Sequence, residues 1–390
     1  MSKALLPIFL IVAVDVLGMT IILPLLPFYA EHLGASPAQV GLLISTFAVC
    51  QLFGGPLIGR ISDELGRKPL LLLSQAGTLI GFFILAWANS LWLVFLSRVI
   101  DGFTAGNLSL AQAYIADITK PEDRAKSFAV IGIAFGLGFL IGPAISGFLV
   151  QFGYQYPIFL ASGLSATSIL ATAFLLPGGK PYVQGEAASR RRVSVLQWGL
   201  YLDYFKRPGL AAMLVQFFVF LFAFSTFMSG FPLFAERRFT WGGRPFDAKH
   251  VGYVYAYVGV ISIILQGGLI GRLVRALGER RLAKAGFAFS VAGFGALAWT
   301  FRIPAMLVVA AVTALGTGVL RPVLTSLITQ KTGKHEQGTV LGLTQSLQSV
   351  ASIVAPFCAG LMIQSGNLAG WALIAAAFSL IGLMLPSPGD

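Results

Sequence analysis

Charge is what this chain lacks most. Only 11% of its 390 residues are Asp, Glu, Lys or Arg, less than half the roughly 25% of soluble globular domains. That is too few to cover the surface of a water-soluble enzyme. Cysteine is scarce as well. Cys50 and Cys358 both fall in apolar stretches, which excludes a disulfide framework and a cysteine-based metal centre. The three histidines, His32, His250 and His335, read as loop residues. Met-Ser-Lys leads directly into an apolar stretch without a small-residue cleavage site, so that stretch reads as a first span rather than a removed leader. What is abundant is apolar: 56% of residues are hydrophobic and 45 are glycine, with a mean hydropathy of +0.83. Apolar runs beyond ~18 residues indicate transmembrane helices, and small residues let such helices pack closely. The composition predicts an all-α, polytopic membrane protein.

Twelve apolar segments stand between charged or turn-rich breaks: 5–30, 39–59, 70–88, 91–116, 125–150, 154–176, 208–235, 250–271, 282–300, 303–329, 338–363 and 367–386. Each is long enough to cross a ~30 Å hydrocarbon layer with some tilt. The long polar interruption contains PGGKPYVQGEAASRRR and divides the spans six and six. The domains read as a six-helix bundle at 1–176, a cytoplasmic linker at 177–207 and a second bundle at 208–390. With both termini cytoplasmic, twenty Lys and Arg lie on the cytoplasmic side, five on the other, and two, Arg98 and Arg321, inside spans. This positive-inside bias accounts for the net charge of +12 without a nucleic-acid partner, and Arg190–Arg192 reads as a topology anchor.

The halves repeat. GGPLIGRISDELGRK (54–68) matches GGLIGRLVRALGERR (267–281), GPAISGFL (142–149) matches APFCAGLM (355–362), and PFYAEHLG (27–34) has an echo in PLFAERRF (232–239). Parallel six-span repeats related by a pseudo-two-fold axis along the membrane normal are a common transporter plan, with the substrate site at the bilayer midplane.

Chemistry is concentrated at a few polar positions. Asp15 stands about 15 Å into the first span, where a bare carboxylate costs roughly 2.5–3.5 kcal/mol. It either hydrogen-bonds to a neighbouring span as a structural group or carries protons or contacts a cation. Arg98 and Asp101 are i,i+3 on one face of the fourth span and can neutralise each other; the alternative is that Arg98 tunes a nearby carboxylate. Asp15 has no cation local in sequence, so it is the leading candidate for proton coupling, with Arg98 and Asp101 as modulators. The second half has no acid inside a span. Its anomaly is Arg321, which can hold an anionic substrate, pair with Asp15, or snorkel to the cytoplasmic side. Asn107, Gln112, Gln266, Arg321, Gln345 and Gln348 are candidates for the substrate cavity. The aromatic seventh span, QFFVFLFAFSTF (216–227), reads as lipid-facing packing rather than a drug pocket. The spans offer no paired acids, histidine ligands or Ser-Lys set at one depth, so an enzyme is not expected. Nor do they offer the rings of like polar groups that a channel needs.

The turn after the second span, GRISDELGRKP (59–69), has more order than charge bias requires. Gly59 suits close helix approach, and Asp63 can pair with Arg67 or a helix N-terminus. Its G-x3-D-x2-G-R-K-P spacing resembles the signature loop of the major facilitator superfamily. That resemblance implies that Gly59, Asp63, Gly66, Arg67 and Lys68 form a gate latch. In the second copy Arg275 stands where Asp63 would fall, leaving only the first latch complete. Arg98 and Gly102 match the R-x3-G pattern of drug–proton antiporters, and AYIADITKPEDRA (113–125) looks like the tetracycline-efflux branch. Gly138, Gly142, Pro143 and Gly147 resemble the antiporter signature of the fifth span, with Ala129 and Ser146 as departures. The D-x2-G-x5-P-x2-P order after Asp15 resembles tetracycline and vesicular-amine transporters. The resemblance implies proton-coupled efflux of small drug-like molecules by a monomer in the bacterial inner membrane, driven by the proton gradient with no cofactor. The alternative is a symporter or uniporter of organic anions, sugars or other small metabolites on the same scaffold. The stretch after span 6, LLPGGKPYV (175–183), does not look like the sugar branch.

Overall fold

The computed structural model describes residues 5–118, 124–176, 203–207, 209–332 and 337–386. The helices are α1 (Leu5–Ile22), α2 (Leu26–His32), α3 (Pro37–Leu65), α4 (Arg67–Ala86), α5 (Leu91–Thr104), α6 (Asn107–Ile118), α7 (Arg124–Leu149), α8 (Gln155–Leu175), α9 (Leu210–Arg238), α10 (Ala248–Ile264), α11 (Ile270–Leu297), α12 (Ile303–Gln330), α13 (Gln337–Gln364) and α14 (Leu368–Met384). A two-stranded hairpin, β1 (Thr240–Trp241) and β2 (Arg244–Pro245), follows α9. Most of the linker, Arg190–Arg192 included, lies outside the described residues, as do 119–123 and His335. His32 ends α2, and His250 sits in the first turn of α10 rather than in a loop.

All twelve apolar segments fall on helices, and the interruptions within spans have local causes. Pro24 lacks an amide donor and crowds the preceding turn, so the first span bends by 42° between α1 and α2. The fourth span breaks at Ala105–Gly106 into α5 and α6. The eighth carries a π turn at Leu265–Leu269 between α10 and α11. Gly278, with φ 74 and ψ 156, breaks α11 where the eighth span hands over to the ninth. Gly66 has nearly the same backbone, φ 95 and ψ 155, between α3 and α4. Only glycine adopts this conformation without strain, so the repeat seen in sequence extends to its turn geometry.

The chain divides into two compact units. One comprises residues 1–35, 46–191 and 247–256; the other comprises 36–45, 192–246 and 257–390. In the first, α1 packs on α7 and α8, and α4 packs on α5 and α8. In the second, α9 packs on α13 and α14, and α11 packs on α12 and α14. Counted by span, the packing order is the same in both.

The interior of the second unit is aromatic. Phe217, Phe220, Phe222, Phe227, Phe231 and Phe234 of α9 are all buried. Phe222 stacks on Phe378 with ring centroids 4.0 Å apart, and Trp371 donates from Nε1 to the Thr226 carbonyl at 3.1 Å. Gly230 leaves room for that indole. The expectation of a lipid-facing aromatic stripe is therefore corrected. Phenylalanines recur around the helix and bury against α13, α14 and α11, because a helix apolar on all sides can turn any face inward.

Candidate functional site

In the first unit, Asp15 of α1 is the ionisable group of an otherwise apolar helix. The residue is half-buried, and its carboxyl meets the side chains of Ser168 on α8 and Gln75 on α4. Gln75 is fully buried, and its Nε2 donates to Ser168 Oγ at 2.7 Å. Gln75 Oε1 has no partner among the described residues. Thr172, one turn beyond Ser168 and also fully buried, leaves its Oγ1 without a partner. Buried polar groups left unpaired cost about 1–3 kcal/mol each, so an orphaned amide oxygen beside a carboxyl invites a chemical reading. A Gln amide donates from nitrogen to a carboxylate and accepts at oxygen from a carboxylic acid. Neutral donors around Asp15 suit a group that changes protonation state.

Arg98 and Asp101 of α5 form an ion pair at 3.4 Å, with side chains only 7% and 9% exposed. Thr78 also reaches Asp101, and Arg98 Nε donates to Ser97 Oγ at 3.3 Å. A Cβ at Gly81 would lie 3.0 Å from Asp101 Cβ, so that glycine lets α4 close over the pair. Arg98 Nη2 remains without a partner among the described residues. The structure thus joins Arg98 with Asp101, while the polar neighbours of Asp15 are Gln75 and Ser168. On α6, Asn107 has a buried Oδ1 without a partner, and Gln112 is exposed.

In the second unit, Arg321 of α12 donates from Nη2 to Gln348 Oε1 on α13. Gln345 is exposed one turn away, and Gln266 is exposed on the π turn. Among the described residues, Arg321 forms no ion pair.

The two turns at Gly66 and Gly278 share a backbone but not their charges. In the first, Asp63 pairs with Arg67 at 2.5 Å, and Arg67 donates to Ser62 Oγ at 2.6 Å. Lys68 donates to the carbonyls of Ala173 and Leu176, both at 2.7 Å. A cation thereby caps the C-terminus of α8, where carbonyls lack helical partners. In the second, Glu279 occupies the position of Arg67 and turns to α12, accepting from Ser326 Oγ at 2.8 Å and Gln330 Nε2 at 2.9 Å. Gly59 is not the close-approach residue expected, because a Cβ there would meet nothing within 4 Å. That role belongs to Gly54 against the Phe103 backbone and to Gly102 against Phe47.

The glycines of α7 serve two neighbours. Side chains at Gly138 and Gly142 would collide with Val16 and Thr20 of α1, and Thr20 Oγ1 donates to the Gly138 carbonyl at 2.9 Å. Gly147 instead meets Lys249 and Gly252, and a Cβ at Gly252 would lie 2.5 Å from the Pro143 carbonyl oxygen. The second unit repeats this contact: Gly360 meets the Pro37 backbone, and Gly41 meets the Pro356 carbonyl. Sequence reasoning missed Gln75, Ser168, Thr20 and Glu279. The signal for Ser168 was present as a small-polar stripe, Ser165, Ser168 and Thr172, on one face of the sixth span.

The Major Facilitator Superfamily pattern matches residues 8–356 and also 267–388. The chain belongs to the major facilitator superfamily. This membership makes it a multi-pass membrane transporter of small molecules, a non-enzymatic role. It is 30% identical to the class D tetracycline resistance protein of Salmonella ordonez, over 98% of this chain and 96% of that one. It is also 26% identical to multidrug resistance protein 2 of Bacillus subtilis, over 95% and 90%. Among solved structures, a point mutant of the nucleoside transporter NupG superposes with a TM-score of 0.80 at 16% identity, covering 97% of this chain and 98% of that one. The human organic anion transporter MFSD10 superposes with a TM-score of 0.72 at 24% identity, covering 98% of each. At these identities the two structures speak to the fold of this major facilitator protein alone.

Proposed function

We propose that this chain exports small amphipathic, drug-like molecules across the cell membrane in exchange for protons, by alternating access. The observation that carries the reading is Asp15, a carboxyl within the first span attended by Gln75 and Ser168. A carboxyl set among neutral donors can exist charged or neutral without breaking an ion pair, as a proton carrier must. The tetracycline and multidrug resistance proteins among its relatives support a drug-like substrate and its export. Asp63, Arg67 and Lys68 serve as a cytoplasmic latch, both termini are cytoplasmic, and the protein works as a monomer in a bacterial inner membrane.

The test is uptake into inside-out proteoliposomes with an imposed pH gradient, screened over lipophilic fluorescent drugs. Accumulation that collapses when a protonophore is added supports proton exchange. Uptake indifferent to the gradient contradicts it.

A further inference from the structure

We infer that the second unit holds a seat for an anionic group of the transported molecule, built by Arg321 with Gln345 and Gln348 and flanked by Gln266. The inference rests on the export reading and adds the charge class of the substrate.

Arg321 is nine residues from the end of α12, about 14 Å along the axis. Its partner Gln348 is eleven residues from the start of α13, about 16 Å in. Both of those helix ends meet the short connection at 331–336, so the two depths share one reference. The guanidinium therefore turns to a residue as deep as itself. A snorkelling arginine would instead carry its head toward the water at the helix end.

Arg321 offers five N–H donors and no acceptor, and the hydrogen bond to Gln348 uses one of them. A neutral amide satisfies a donor but leaves the charge uncompensated. Among the described residues, the carboxylate of the second unit nearest to Arg321 in sequence, Glu279, is engaged by Ser326 and Gln330. Gln345 lies three residues before Gln348 and hence on the same helix face. It is exposed and without a side-chain hydrogen bond among the described residues.

A third element arrives at the same level independently. Gly318, one turn before Arg321, would carry a Cβ 2.8 Å from Leu265 Cδ2. That leucine opens the π turn whose next residue is the exposed Gln266. π turns are rare and recur at functional sites. Three elements thus place one cation and three amides at one level, with no carboxylate among them. Such a set repels ammonium groups and suits a carboxylate, sulfonate or phosphate, which a guanidinium holds with two parallel hydrogen bonds.

The experiment uses three fluorophores with one aromatic body: dansylglycine (anionic), dansylamide (neutral) and dansylcadaverine (cationic). Binding to the purified full chain and uptake into proteoliposomes are measured for wild type, Arg321→Lys and Arg321→Gln. Wild type is expected to bind dansylglycine about tenfold or more tighter than the other two, the size of one lost charge-assisted contact. Arg321→Gln should abolish that preference and Arg321→Lys retain part of it, with thermal melting confirming that both fold. Equal binding of all three probes by wild type, failure to bind dansylglycine, or a preference unchanged in Arg321→Gln overturns the inference. The export reading fails separately. If dansylglycine binds through Arg321 but no probe is accumulated, the seat stands and transport does not. If dansylcadaverine is accumulated and the binding of dansylglycine is unchanged in Arg321→Gln, transport stands and the seat does not.

Discussion

In the first unit the charges described within spans are Asp15 and the Arg98–Asp101 pair; in the second, Arg321 stands without a carboxylate among the described residues. Yet the helices that hold these groups pack in the same order, and the small residues at their closest contacts correspond. Pro143 and Gly147 meet Lys249–Gly252 in one unit, as Pro356 and Gly360 meet Pro37–Gly41 in the other. What repeats is backbone proximity, which a duplicated sequence keeps because a side chain at such a position forces two helices apart. What diverges is the polar interior, where a substitution alters chemistry without moving a helix. The scaffold is common to both units, and the difference between them lies in a few side chains.

The sharpest way to break the comparison is to unpair the buried charges. Arg98→Ala strands Asp101 in an apolar layer and should cost about 3–5 kcal/mol, read as a lowered melting temperature in detergent. Arg321→Met should cost less than about 1 kcal/mol, because that residue is exposed and no carboxylate depends on it. Equal losses would mean that Arg321 is a structural charge after all.

The next effect concerns the shared scaffold. Gly147→Val and Gly360→Val should each destabilise by about 1–3 kcal/mol through overpacking, and by similar amounts. Thermal unfolding of the two variants side by side checks this, and tolerance of one alone would show that the repeated contact is not equivalent.

Smaller still is the contrast of the turns at Gly66 and Gly278. Asp63 is an exposed partner of Arg67, and such pairs contribute roughly 0.2–1 kcal/mol. Asp63→Asn should slow turnover about two- to fivefold while leaving substrate affinity unchanged. Arg275→Asn should change neither, since Glu279 of the second turn is held by α12 instead. Saturation kinetics separate rate from affinity in both variants, and a loss of affinity in Asp63→Asn would remove the latch from the account.

Much of this was legible in the chain itself. An acid or base inside an apolar run announces its cost, so Asp15, Arg98, Asp101 and Arg321 stand out without coordinates. Glycine at four-residue spacing marks α7 for the same reason that it packs closely. Gln75 and Ser168 did not stand out, because neutral polar residues barely disturb hydropathy and their meaning depends on which helix faces them. Gly59 misled through its motif: glycine permits close approach but does not require a neighbour. The phenylalanines of α9 misled because an all-apolar helix carries no periodicity that separates lipid from core. The exchange of short segments, 36–45 and 247–256, between units that otherwise follow the sequence halves was also invisible. It arises from glycine contacts between residues more than a hundred positions apart, or more than three hundred.

The central claim is that proton coupling resides in Asp15 of the first unit. Its most direct test is uphill transport by Asp15→Asn in proteoliposomes, set against substrate exchange without a gradient. Loss of gradient-driven accumulation with downhill exchange preserved is the predicted result. Full uphill transport by Asp15→Asn, with its loss in Asp101→Asn, would contradict the claim and move the coupled carboxyl to the buried ion pair.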